Sequence, residues 1–241
     1  LFATYQFQRI LVNTVTISLY SLAVGTPLPI LLAISLQYTR SVAFKKCVQM
    51  VSYAPYFIST VVMCGMILQF LAPRTGFISQ LIASLGGQPV DYMGQPDLFS
   101  TIYVWTGLWQ GIGYGAIIYL AALSGISPEL HEAAIVDGAS VIRRIWHIDL
   151  PGIQPTVIIL LIMNVGQVLN VGFEKVYLLQ NTMNLRASEI IDTYVYKMAL
   201  ASNIPNFSFS TAIGLFKSVV GLMLIAGVNA LARRIGETSL W

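Results

Sequence analysis

The chain has 241 residues, of which 56% are hydrophobic and 10% charged, with a formal net charge of +3. Soluble domains carry about a quarter charged residues, so this balance excludes disorder and argues against a water-soluble globule. The net charge is small and no basic run alternates with aromatics, which excludes a nucleic-acid surface.

Uncharged stretches run over 10–39, 47–73, 98–128 and 150–173, and a fifth, 207–232, is interrupted by Lys217 alone. A helix needs about 20 apolar residues to cross a bilayer, so the pattern predicts five transmembrane helices. No segment between them is long enough to bury a core of its own. The expected architecture is therefore a single all-α, polytopic membrane bundle over 1–241, with a loop at 124–152 and connections at 73–97 and 172–206. Arg40, Lys45 and Lys46, Arg143 and Arg144, and Arg233 and Arg234 all fall on one side of this topology, so every adjacent basic pair lies there. The other side carries Arg9, Arg74, Lys175, Arg186 and Lys197 singly, so the positive-inside rule puts the clustered side, loop 124–152 and Trp241 in the cytoplasm and Leu1 outside. A start at Leu1 with no charged-then-apolar signal before it predicts a fragment whose first helix is missing.

In chain order, Pro27 and Pro29 should kink the first span near its cytoplasmic end. The second, from Cys47 to Leu71, carries Pro55 near its start. It places Cys47 and Cys64 on one helix, too far apart to pair. Glycines and prolines in 73–97 surround a short amphipathic piece, Phe77 to Leu85, expected at the outer interface. In the third span, Leu98 to Leu123, Gly107, Gly111 and Gly115 share a face, for close helix packing or for a substrate path. Trp105 and Trp109 suit either lipid anchoring or stacking on a sugar. The fourth span places Asn164, Gln167 and Asn170 on one slowly drifting face, where amides would bond between helices or to sugar hydroxyls. In the connection 172–206, Ser188 is an expected helix cap with Glu189 in the first turn. Lys217 lies about 15 Å along its helix from Phe207. A structural contact would explain it, with any balancing acid supplied by a partner chain. A pathway cation for an acidic sugar would explain it equally.

The chain lacks a G-x-x-x-x-G-K-[ST] phosphate loop, H-E-x-x-H and G-x-S-x-G. No Asp or Glu occurs inside a predicted span, and both histidines lie in loop 124–152. Ion-coupled carriers and intramembrane hydrolases need such groups at membrane depth, so no catalytic residue and no metal site is predicted. What remains is a transporter driven from elsewhere.

Loop 124–152 is too polar for lipid yet reads as helical. Ser127 and Pro128 occupy N-cap and first-turn positions, Glu129 and Glu132 suit the helix N-terminus, and Gly138 can stop the helix after Asp137. A second short helix is expected from Ser140 through Arg143 and Arg144 to Leu150, before Pro151. Together they would form a knob protruding into the cytoplasm.

The run Glu132-Ala133-Ala134, Gly138, Ile148 and Leu150-Pro151 resembles the EAA signature of permease subunits of binding-protein-dependent ABC importers. Leu32-Ala33, Tyr53-Ala54-Pro55, Tyr119 to Leu123 before Ser127-Pro128-Glu129, Thr193 to Tyr196 and the ending Glu237 to Trp241 resemble the carbohydrate branch, especially importers of oligosaccharides and polysaccharide fragments. The resemblance implies a type I, MetI-like permease in the bacterial cytoplasmic membrane. It also implies a second permease chain, identical or different, two ATPase subunits and an extracytoplasmic solute-binding protein. ATP and Mg would be used by the partners, with no cofactor bound here. Carried over, Glu132 would be the ionic anchor on the ATPase, Ala133 and Ala134 the close-packed face, Asp137 the helix end and Gly138 the bend, with Ile148, Leu150 and Pro151 completing the coupling segment. Asn164, Gln167, Asn170, Lys217 and Trp109 would be substrate-path residues. The competing readings are an importer of a non-sugar solute, which the signature does not distinguish, and an intramembrane enzyme or channel, which the missing acids and the knob disfavour.

Overall fold

Break points in the apolar stretches decide where the helices begin and end. In the computed structural model, residues 5–202 and 204–234 are described, and no strand occurs among them. The expectations placed on Leu1 and on Glu237 to Trp241 lie outside them. The helices are α1 Tyr5–Gly25, α2 Pro27–Gln37, α3 Val42–Tyr53, α4 Thr60–Phe70, α5 Phe77–Ser84, α6 Pro96–Ser124, α7 Pro128–Val136, α8 Val141–Arg144, α9 Leu150–Gly166, α10 Phe173–Leu179, α11 Leu185–Ser188, α12 Ile191–Ala199 and α13 Phe207–Arg234. Three continuous stretches are long and apolar enough to cross a membrane: Gln6–Gln37, Val141–Gly166 and Phe207–Arg234. Two bent pairs raise the number to the expected five if each is one span.

The first stretch breaks where expected, at Thr26, with Pro27 opening α2. The second departs from the straight helix expected from Cys47 to Leu71. It is Val42–Phe57 and Thr60–Phe70, bent by 101°. Pro55 removes a backbone donor and its ring crowds the preceding turn, so the chain tightens into a 3₁₀ turn over Ala54–Phe57. The Ser59 hydroxyl then accepts from Val62 N–H at 3.4 Å and starts α4 in a new direction. Cys47 and Cys64 are therefore on separate helices, the first exposed and the second buried, both as free thiols.

Two further expectations are corrected around loop 124–152. The helix from Ser140 does not stop at Leu150. It continues to Gly166 through a π turn over Ile145–Asp149, in which Leu150 N–H donates to the Ile145 carbonyl. That wide turn directly precedes Pro151, whose ring would crowd the carbonyl four residues back in a regular α-helix. At the other end, α9 stops at Gly166, so Asn164, Gln167 and Asn170 do not share one helical face. Asn170 turns back instead, its N–H donating to the Gln167 carbonyl at 2.7 Å and its Nδ2 to Gln167 Oε1 at 2.6 Å. Amide side chains bonding this locally compete with helix continuation.

The chain divides into two packed units. One comprises Leu1–Ser21, Ile58–Gly107 and Gln167–Leu222. Its core joins Ile17, Met63, Cys64, Ile67, Phe99, Val176 and Leu179, and a second cluster joins Ile10, Leu169, Ile191 and Ile213. The other comprises Leu22–Phe57, Leu108–Gly166 and Met223–Trp241. There Ala33 and Ile34 of α2, Ala116, Tyr119 and Leu123 of α6, and Ile153 of α9 are buried together. The tightest approach in this unit is at Gly113, where a Cβ would stand 2.2 Å from the Ser52 carbonyl oxygen. Sequence spacing pointed to Gly107, Gly111 and Gly115 instead. Of these, Gly107 makes room for the Lys175 ammonium at 3.1 Å, Gly115 touches Pro29 at 3.4 Å, and Gly111 meets nothing within 4 Å.

Candidate functional site

Loop 124–152 lies wholly in the second unit. Pro128 opens α7 and Ser127 holds the N-cap position, but the Ser127 side chain makes no cap bond; its carbonyl accepts from Leu130 N–H at 3.2 Å instead. The far end is closed as the sequence predicts. Gly138 adopts φ +73°, which L side chains resist. Asp137 N–H donates to the Ala133 carbonyl, Gly138 N–H to Ile135 and Ala139 N–H to Ala134, satisfying the last helical carbonyls. None of the nine residues of α7 is buried. Glu132, Ala133, Asp137 and Gly138 are exposed and Ala134 is half-buried, while Leu130, Ile135 and Val136 present apolar surface, Val136 at 86% exposure. Ile148 and Leu150 are half-buried and Pro151 is exposed. Val141, Ile142 and Trp146 extend the apolar surface past the bend. Loop 124–152 thus carries exposed carboxylates beside exposed apolar side chains.

Between Ile148 and Leu150, Asp149 is 1% exposed. Its Oδ2 accepts from the Tyr38 hydroxyl at 2.6 Å, and its Oδ1 lies 3.4 Å from His131 Nε2. Arg144 stands over the Tyr38 ring at 5.5 Å. Burial first, and then the bond to Asp149, push the Tyr38 phenol up to about 12, so it remains a donor. Sequence reasoning passed over Asp149, His131 and Tyr38. An isolated acid at the foot of an apolar run was the available signal.

The polar residues of the first unit are more fully paired than the sequence implied. Lys217 forms an ion pair with Asp192 of α12, so its balancing acid comes from this chain. Glu189, 4% exposed, takes Arg9 at 3.0 Å and Lys197 at 3.2 Å. Ser188 ends α11 and Glu189 lies between helices, so neither opens α12 as expected. Ile190 is its N-cap residue, and Thr193 Oγ1 accepts from Ile190 N–H. Lys175, expected in the outer connection 172–206, is 7% exposed. Its ammonium donates to the Tyr103 carbonyl at 2.8 Å and lies 4.7 Å from the centroid of the same ring, and burial pushes it down to about 8. A cavity of about 500 Å³ is lined by Arg9, Asn13, Pro96, Asp97, Arg186 and Ala187. Asn164, Gln167, Asn170 and Trp109 are exposed. Among the described residues no group of three His, Cys, Asp or Glu could hold a metal ion.

The model of one family, described as binding-protein-dependent transport system inner membrane component, matches residues 25–237. The chain belongs to that family. Among the proteins it resembles is Protein LplB of Bacillus subtilis (strain 168), 40% identical over 240 residues and covering 100% of this chain and 75% of the relative. The polygalacturonan/rhamnogalacturonan transport system permease YteP of the same organism is 40% identical over 241 residues, covering 100% and 74%. A chain of the crystal structure of a bacterial alginate ABC transporter, in complex with its alginate pentasaccharide-bound periplasmic protein, superimposes with a TM-score of 0.96. It is 38% identical, covering 100% of this chain and 83% of that one. The fold is thus that of a MetI-like permease, and the chain is a multi-pass membrane transport subunit.

Proposed function

We propose that this chain is the transmembrane subunit of an ATP-driven importer for oligosaccharide or polysaccharide fragments, with acidic fragments as the preferred cargo. The observation that carries the reading is α7, a short helix with nothing buried, closed by Gly138 at positive φ and presenting Glu132 beside apolar side chains. In a permease of this family, that helix is the surface on which a separate ATPase subunit docks, Glu132 supplying the ionic contact. Two such ATPases hydrolyse ATP with Mg, a second permease chain completes the path, and an extracytoplasmic binding protein delivers the cargo. Closure of the ATPases around ATP moves α7, and the attached helices switch the path between inward- and outward-facing states. Loop 124–152 and the C-terminus face the cytoplasm of a bacterial cell, as the clustered basic residues indicate.

The cargo class is supported by the relatives, one named for polygalacturonan and rhamnogalacturonan and another for alginate. It no longer rests on Lys217, whose charge Asp192 already balances. The complete complex in vesicles, with binding protein on one side and ATP on the other, should take up galacturonate-containing oligosaccharides only when ATP is present. Equal uptake of neutral oligosaccharides would remove the acidic preference. ATP-independent uptake, or none of any saccharide, would overturn the importer reading.

A further inference from the structure

α7 has no buried residue, only His131 and Ala134 of its nine being half-buried, yet it must transmit force if it is the docking helix. One polar group of α7 approaches a buried carboxylate. His131, one residue before Glu132, places Nε2 3.4 Å from Asp149 Oδ1. Asp149 is 1% exposed and stands in the π turn between α8 and α9. Its other oxygen takes the hydroxyl of Tyr38, directly after α2, at 2.6 Å. One carboxylate therefore touches three segments of the same unit: the exposed helix, the base of the stretch Val141–Gly166, and the end of the stretch Gln6–Gln37. Among the described residues Oδ1 has no hydrogen-bond donor. A buried carboxylate oxygen without a donor is unfavourable unless a partner approaches, and His131 Nε2, 3.4 Å away, is placed to do so.

We propose that Asp149 is a positioning residue, a carboxylate clamp that binds α7 through His131 to the ends of two membrane stretches through Tyr38 and the π turn, so that displacement of α7 moves both together. π turns inside helices recur at functional sites, and the clamp sits in this one, between α8 and α9. The proposal rests on the reading of α7 as the ATPase-docking helix. Loss of coupling in Glu132→Ala tests that reading separately, because Glu132 is exposed and outside the clamp.

The measurement is sugar taken up per ATP hydrolysed by the complete importer in vesicles, together with co-purification of its subunits. Asp149→Asn keeps the side-chain shape and an acceptor for Tyr38 but loses the charge facing His131; Tyr38→Phe removes one hydroxyl. Each should lower sugar per ATP at least about fivefold in complexes that assemble normally, and the pair together should lower it no further, since both break one clamp. His131→Gln, retaining a side-chain donor, should restore more coupling than His131→Ala. A residue needed only for folding would reduce assembled complex without changing sugar per ATP. If Asp149→Asn fails to assemble, Tyr38→Phe decides alone. Unchanged sugar per ATP in an assembled Tyr38→Phe complex, or additive losses in the double variant, would overturn the clamp, whereas intact coupling in Glu132→Ala would overturn the docking reading beneath it.

Discussion

At the scale of single residues, the charges buried in this chain are a guide to what it tolerates. The Lys217–Asp192 pair leaves the side chains 12% and 25% exposed. Removing one member of such a pair strands the other, while removing both leaves a neutral site. Lys217→Met should therefore lower the melting temperature of the detergent-purified protein more than Lys217→Met combined with Asp192→Asn, with a coupling of about 0.5–3 kcal/mol between the sites. Strictly additive losses would contradict the pairing. Among the described residues no carboxylate is in hydrogen-bond contact with Lys175, and burial depresses its pKa to about 8 against an unfolded value of about 10.4. Between about pH 8 and about pH 10 the unfolded chain binds more protons, so this residue's contribution to stability rises with pH across that window. Below it, both states are protonated and the penalty for burying the ammonium is constant. The melting temperature of the wild type should climb relative to Lys175→Met through the window; parallel curves would show that burial does not depress this group.

At the scale of elements, much was legible because it depends on local chemistry. The helices Phe77–Ser84, Pro96–Ser124 and Phe207–Arg234 follow from uncharged length and amphipathic spacing, and the end of α7 from a glycine placed after a helical run. The breaks were harder to read. A proline announces that a donor is missing but not how the chain answers. At Pro27 a new helix opens almost in line, at Pro55 a 3₁₀ turn redirects the chain by 101°, and before Pro151 a π turn lets the helix continue. The amides at Gln167 and Asn170 fit a helical face by spacing, yet their bond to each other ends the helix. The clamp at Asp149 was illegible for a different reason: Tyr38 and His131 are far from it in sequence, and nothing local pairs them. Where local geometry does decide, the effect of a change is predictable. Gly138→Val should cost about 1–2 kcal/mol of local stability, because a β-branched residue opposes φ of +73°. Limited proteolysis should cut loop 124–152 faster in this variant, and cleavage at the wild-type rate would contradict the bend.

At the scale of the whole molecule, the chain is a multi-pass membrane transport subunit of its family. The described helices carry large exposed apolar side chains, among them Leu215, Val219 and Leu222 of α13, which suits lipid or a second permease chain rather than water. The sequence contains no G-x-x-x-x-G-K-[ST] phosphate loop; under the proposed function energy enters through a contact, and α7 is the exposed element proposed to receive it. The decisive measurement is cargo-stimulated ATP hydrolysis and ATP-driven uptake by the complete importer carrying Glu132→Ala. Loss of a charge-assisted contact is worth about 1.5–3 kcal/mol. The account predicts a permease that still folds and inserts, with stimulation and uptake both reduced about tenfold or more. Stimulation and uptake at wild-type levels would contradict it.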